Sequence, residues 1–207
     1  MIEKLASQLG RKDEEPNIQL AQELMKDNNA FAIEEIVSGV MGKDKAIAND
    51  CIKVLYEIGE EKPDLISPYA NEFLDLLHSK NNRLVWGAMT ALAKIAELVP
   101  EVIFPRLDDV LHAYENGSVI TVDNSISVFA GLGKSNHAYE EKILPILLHH
   151  LATCRPKEVP QHGERASVCY NKSNSNAFLE VLESRKKDLS KTQLVRVEKL
   201  IKLLKNL

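Results

Sequence analysis

Disulfide chemistry, membrane insertion and a turn-rich β-fold are each disfavoured by something this chain has little of. There are three cysteines, Cys51, Cys154 and Cys169, an odd number with no CxxC pair, so the sequence encodes neither a disulfide framework nor a paired-thiol metal knuckle. Reduced thiols fit a cytosolic setting, and a cytoplasmic protein is expected. Aromatic residues make up only 5% of the chain, and 9 Gly and 8 Pro in 207 residues are few for a β-architecture built from many turns. No run approaches the ~18 apolar residues of a membrane span. The opening MIEKLASQLGRKDEE has no apolar stretch before a small-residue cleavage site, so no membrane association is expected. A net charge of −4 disfavours a surface that attracts nucleic acid as a whole.

Catalytic signatures are missing as well. The chain has no GxSxG, no phosphate-cradling glycine loop and no HExxH, the patterns that place a nucleophile, a phosphate or a zinc-bound water. Cys169 and His162 share the segment RPKEVPQHGERASVCYNKSNSN, but nothing marks a third orienting group. The expectation is a protein that is not an enzyme and uses no cofactor.

What the chain does have is a repeat. IKVLYEIGEEKPDLI, residues 52–66, returns 37 residues later as MTALAKIAELVPEVI, residues 89–103. In this register Leu55 falls on Leu92, Ile58 on Ile95, Pro63 on Pro100, Pro68 on Pro105 and Leu74 on Leu111. A further shift begins a third copy, with Val122, Ile126, Phe129 and Leu132 taking the apolar positions. The register then slips by three residues in SNHAYEE, a polar stretch read as a loop, so that ILP at 143–145 corresponds to IFP at 103–105.

Within each copy the apolar residues recur at helical spacing, as in Ala48, Cys51, Ile52, Leu55 and Ile58. Asp44 is the expected cap of that helix. A second helix is expected after each proline, with Ser67 as cap and Pro68 as the first helical residue in SPYANEFLDLLHS. One helical pair cannot close a core, so neighbouring pairs must stack. The predicted class is all-α: a right-handed superhelical α-α solenoid of about five helical pairs forming a single repeat domain over residues 1–207. Residues 1–41 cap its start, residues 44–156 form regular repeats, and an irregular pair with a basic helix closes it over 157–207; the irregular segment is either a broken pair with a mobile loop at 155–163 or an insertion carrying the specific function.

Pairs of this length, with an IxP-like entry and an A–L–I stripe, resemble HEAT repeats of the armadillo/HEAT superfamily, most clearly in ISPYANEFLDLLHSKNNRLVWGAMTALAKIAE, residues 66–97. The resemblance implies a curved solenoid with the second helices on its concave face and a role in binding other macromolecules. The column that usually carries an inter-repeat Arg in this family holds Asn49, Trp86 and Asp123 here.

The columns expected to face the groove read Asn49, Trp86, Asp123; Asp50, Gly87, Asn124; Lys53, Thr90, Ser127; and Glu57, Lys94, Gly131. From these, Asn49, Lys53, Trp86, Thr90, Asp123, Asn124 and Ser127 are the candidate binding residues for a protein or peptide partner. Trp86 is the one large apolar group among them, a natural anchor that could equally pack over the next helix. The alternative function is a HEAT-like DNA glycosylase or another nucleic-acid binder, but the groove columns hold few of the cations that phosphates need.

Two further groupings compete with structural explanations. A zinc site can be composed from His149, His150, Cys154, His162 and Cys169, with His150 and Cys154 one helical turn apart. The repeat register instead sets His150 on Val110 and Cys154 on Tyr114, stripe positions that predict core residues, so no metal is expected. The C-terminal stretch SRKKDLSKTQLVRVEKLIKLLKNL carries eight Lys or Arg against two acids; it reads either as a patch for an acidic partner or nucleic-acid phosphates or, with Leu194, Val197, Leu200, Ile201 and Leu204 on one face, as a capping helix with its charges outward.

Overall fold

A computed structural model describes all 207 residues. It is helical throughout, with no strand, and no helix is long and apolar enough to cross a membrane. The chain forms two compact units, Met1–Ser125 and Ile126–Leu207.

In the first unit a short 3-10 turn at Ile2–Lys4 precedes α1 (Glu15–Asp27), α2 (Ala30–Val40) and α3 (Lys45–Glu61). After these come α4 (Ala70–Leu76), α5 (Asn82–Ile95), the single turn α6 (Pro100–Ile103), α7 (Leu107–Asn116) and the start of α8 (Val119–Ser135). Helix α3 packs against α1, α2 and α5. Its stripe is fully withdrawn from water: Cys51, Ile52, Leu55 and Ile58 are 0% exposed, as are Ala88, Met89, Leu92 and Ile95 of α5. At roughly 25 cal/mol per Å² of apolar surface, such stripes supply the driving force for stacking.

Side-chain caps open α2, α3 and α5, but not the helix expected to start at Ser67. The Asp44 carboxylate accepts from the backbone N–H of Ala46 at 2.8 Å and of Ile47 at 3.1 Å, and Asn81 caps α5 through Arg83 N–H. Ser67 does not cap. Its hydroxyl donates back to the Asp64 carbonyl at 3.1 Å, and Ser67–Tyr69 is a 3-10 turn ahead of α4. Pro68 lacks the N–H that would continue a helix entered at Pro63, so the chain makes two short turns there. The next copy repeats the break: α6 begins at Pro100, and Phe104–Arg106, containing Pro105, is a 3-10 turn before α7. The first helix of each of these pairs is therefore split at its second proline.

The second unit holds the rest of α8, then α9 (His137–Thr153), α10 (Val159–Ala166), α11 (Ser175–Arg185) and α12 (Lys191–Lys205). SNHAYEE is not a loop: Asn136 alone separates α8 from α9, and its side chain accepts from Tyr139 N–H at 3.0 Å. Pro145 lies inside α9 rather than in a break like Pro105. The expected loop at 155–163 is likewise shorter, because α10 already begins at Val159 with Pro160 in its first turn, where a missing N–H costs nothing. Helix α12 buries Val197, Leu200, Ile201 and Leu204 and starts with a capping box of Ser190 and Gln193. Its Arg196 forms a two-pronged pair with Glu164 at 2.8 and 2.6 Å.

Candidate functional site

The candidate residues of the first unit sit on α3, α5 and the first turns of α8, and three side-chain amides join successive helices there. Asn17 of α1 donates to Asp50 of α3 at 2.8 Å. Asn81, at the cap of α5, donates to Asn49 of α3 at 2.7 Å. Asn124 of α8 donates to Thr90 of α5 at 2.9 Å. Amides thus make the inter-repeat links in a chain whose usual arginine column is replaced.

Each candidate has a distinct setting. Asn49 and Asp50 are half-buried and line a cleft of about 220 Å³ with Ser7, Arg11, Glu14 and Arg83. Lys53 is the least accessible, 8% exposed, and pairs with Glu57 at 2.6 Å and Glu14 at 3.2 Å. Its ammonium also stands 4.9 Å from the Tyr56 ring centre. Burial would lower the Lys53 pKa, but the hydrogen bond to Glu57 leads the opposing effects and holds it above the ordinary lysine range.

Trp86 is half-buried. Its ring meets Tyr56 at 5.7 Å between centres, tilted by 47°, and the Arg83 guanidinium lies 5.6 Å from its centre. Trp86 therefore packs against Tyr56 and Arg83 and is only partly accessible. Thr90 donates to the Trp86 carbonyl at 2.8 Å, and Asn124 is nearly buried at 9%. Asp123 is half-buried beside it on α8. Ser127 belongs to the second unit, where its hydroxyl accepts from Arg165 at 2.8 Å.

Gly87, expected to face the groove, is not at the surface. Gly87 is buried where α5 crosses α3, and a Cβ there would come within 2.6 Å of Ile52 Cγ1. The absent side chain serves helix approach, not a ligand.

The structure also adds residues that pattern reading missed. Glu14 forms ion pairs with both Arg83 and Lys53. Burial pushes the Glu14 pKa up, yet hydrogen bonds from Arg83 and Lys53 outweigh it and hold the carboxyl below its usual range. Glu14 precedes the recognisable repeats, so no register pointed to it. Arg83 and Tyr56 had a signal, since each stands one helical turn from a candidate residue, Trp86 and Lys53 respectively.

In the second unit, His150, Cys154 and His162 come together, their ligand atoms all within 4.8 Å of one another. The burial expected from the register holds for the first two: His150 is 5% exposed and Cys154 is half-buried. The third member, His162 of α10, is 0% exposed, and its Nδ1 lies 2.7 Å from His150 Nε2. His149 is exposed. Cys169 is buried separately, its thiol donating to the Ala166 carbonyl at 3.1 Å and pushed up to about 12 by burial.

No protein-family model matches the chain, and no curated protein matches it in sequence. Solved structures do. A designed armadillo repeat protein in complex with the peptide (KR)4 superposes with a TM-score of 0.70 at 12% identity, over 90% of this chain and 86% of that one. A second designed armadillo repeat protein gives 0.69 at 14% identity, covering 99% and 100%. Computationally designed armadillo repeat proteins for modular peptide recognition give 0.68 at 13% identity over 91% of both chains. At these identities the likeness speaks for architecture alone: the chain has the all-α solenoid fold of armadillo-type helical repeats, as its HEAT-like sequence pattern implies.

Proposed function

We propose that this protein is a non-enzymatic scaffold that binds a protein or peptide segment on the helix face carried by α3 and α5, with Trp86 as anchor. The observation that carries the reading is the setting of Trp86: a large, half-buried ring held against Tyr56 and flanked by Arg83. Tryptophan and arginine in such settings dominate interface energetics, and a ring immobilised beforehand loses little entropy on binding. Support also comes from the structural neighbours, one of them in complex with a peptide and another designed for peptide recognition. The cleft lined by Asn49, Asp50, Glu14 and Arg83 would supply polar groups for the partner's backbone and charged side chains. A cytoplasmic setting suits three free thiols.

Trp86 is the only tryptophan, so the face carries its own reporter. Peptides selected from a random display library should shift the Trp86 emission on titration. Trp86→Ala should weaken them by at least about 2 kcal/mol, roughly thirtyfold. Selected peptides that bind the Trp86→Ala protein as tightly as the native one would show the face assignment to be wrong, as would selection of nucleic acid in preference to any peptide.

A further inference from the structure

We propose that His150, Cys154 and His162 form a zinc-binding site in the second unit, independent of the proposed peptide face. Two imidazole nitrogens and one thiol sulfur, from two helices, lie within 4.8 Å of one another. Borderline nitrogen and sulfur donors in this number are the set that Zn²⁺ takes, leaving a fourth position for water or an exogenous ligand. The half-buried Cys154 marks the side from which an ion and that fourth ligand would enter.

The local backbone prepares the arrangement. Cys154 is the C-cap of α9, its N–H bonded to the His150 carbonyl at 2.8 Å, which sets the two side chains one turn apart on one face. Arg185 of α11 holds the end of that helix by donating to the Leu151 carbonyl at 2.6 Å and the Cys154 carbonyl at 2.8 Å. Its charge is met by Asp188 at 3.1 Å, so the nearby guanidinium does not stand alone against a dication. Helix α10 brings His162 to the same place, the two rings 4.8 Å apart between centres and tilted by 49°.

The ligand atoms are close to, but not at, coordination distances. Zn–N bonds of about 2.0–2.1 Å and a Zn–S bond of about 2.3 Å place tetrahedral nitrogens about 3.3 Å apart and sulfur about 3.6 Å from nitrogen. The imidazoles at 2.7 Å must therefore open by about half an ångström, and the sulfur must close in. On binding, the thiol releases its proton to solvent. The imidazole that donates within the pair shifts its hydrogen to its other ring nitrogen, so both rings face the ion as neutral ligands.

The test uses the full chain, stripped with a chelator and checked for native helicity by circular dichroism. Zn²⁺ titrated in competition with a chromogenic chelator should load one ion per chain. Co²⁺ in its place should give a thiolate-to-metal charge-transfer band and the intense d–d bands of a tetrahedral site. Cys154→Ser should abolish the charge-transfer band and weaken Zn²⁺ about 100-fold or more, since even supporting residues of such sites are worth 10–100-fold. Cys51→Ser and Cys169→Ser should change neither. In the unmodified chain, Zn²⁺ should protect Cys154 from alkylation, read by mass spectrometry without any variant. No uptake of Zn²⁺, equal binding by the Cys154→Ser protein, loss of the charge-transfer band in Cys169→Ser, or undiminished alkylation of Cys154 would each overturn the proposal and leave the histidines as a hydrogen-bonded core pair.

Discussion

Asn124 and Thr90 lock two successive repeats in a fixed direction: the Asn124 amide donates to the Thr90 hydroxyl at 2.9 Å, and that hydroxyl has already given its hydrogen to the Trp86 carbonyl at 2.8 Å. The threonine oxygen is left only as an acceptor, so a donor must stand opposite it. Asn124→Asp presents two acceptors and should cost about 1–3 kcal/mol, the penalty of a nearly buried polar group without its partner. Asn124→Ala should cost less. Urea denaturation of the three proteins, with unchanged slopes, would establish that order; an Asp variant as stable as wild type would refute the relay.

Gly87 should not tolerate a methyl group. Alanine would gain about 1 kcal/mol of helix propensity, but its Cβ would stand 2.6 Å from Ile52 Cγ1 and 3.3 Å from Cγ2. The β-branched Ile52 cannot rotate away within α3. Overpacking of this kind costs about 1–3 kcal/mol, so Gly87→Ala should lower the thermal midpoint, and Ile52→Ala, which removes both γ carbons, should cost less in the Gly87→Ala protein than in the native one.

Removing the Asp44 side chain isolates the value of a cap. Asp44 accepts two N–H groups at the start of α3 in an exposed setting, so Asp44→Ala should cost about 1 kcal/mol and Asp44→Asn or Asp44→Ser much less. Chemical denaturation would read the difference directly.

Acid should loosen the second unit partly through Glu140. Burial pushes this carboxyl up, but hydrogen bonds from Asn171 at 2.9 Å and Asn174 at 2.8 Å prevail and hold it below its ordinary value. A folded-state pKa below the unfolded one contributes stability that is present above the unfolded value and is lost as pH falls through the folded one. The midpoint should therefore drop from about pH 5 downward. Glu140→Gln should be less stable at neutral pH and lose less on acidification; identical pH profiles for the two proteins would rule the contribution out.

Much of this architecture was legible because repetition exposes it. The 37-residue register of Pro63 and Pro100 and the stripe from Ala48 to Ile58 specify helices that need neighbours, and those residues are the buried ones. Local chemistry was readable where one residue decides it, as at Asp44. It failed at Ser67, whose hydroxyl turns back to the Asp64 carbonyl instead of to the helix ahead. Contacts that depend on where distant segments arrive were not legible at all. Glu14 meets Arg83 from 69 residues away, and His162 meets His150 from a helix that lay in an expected loop. The registers of Val110 and Tyr114 gave the burial of His150 and Cys154 correctly and said nothing about the third side chain.

The residues ahead of the repeated prolines carry one more implication. Lys62 and Val99 adopt nearly the same backbone conformation, φ −133° with ψ 68° and φ −133° with ψ 50°, outside the helical region that a following proline disfavours. Residues 63–99 are therefore flanked by like backbone at both ends. A duplicate of that segment spliced after Val99 would meet both junctions without strain, lengthening the chain by one interchangeable module. The protein is in this sense a measured strip, extendable at a point its prolines have already marked.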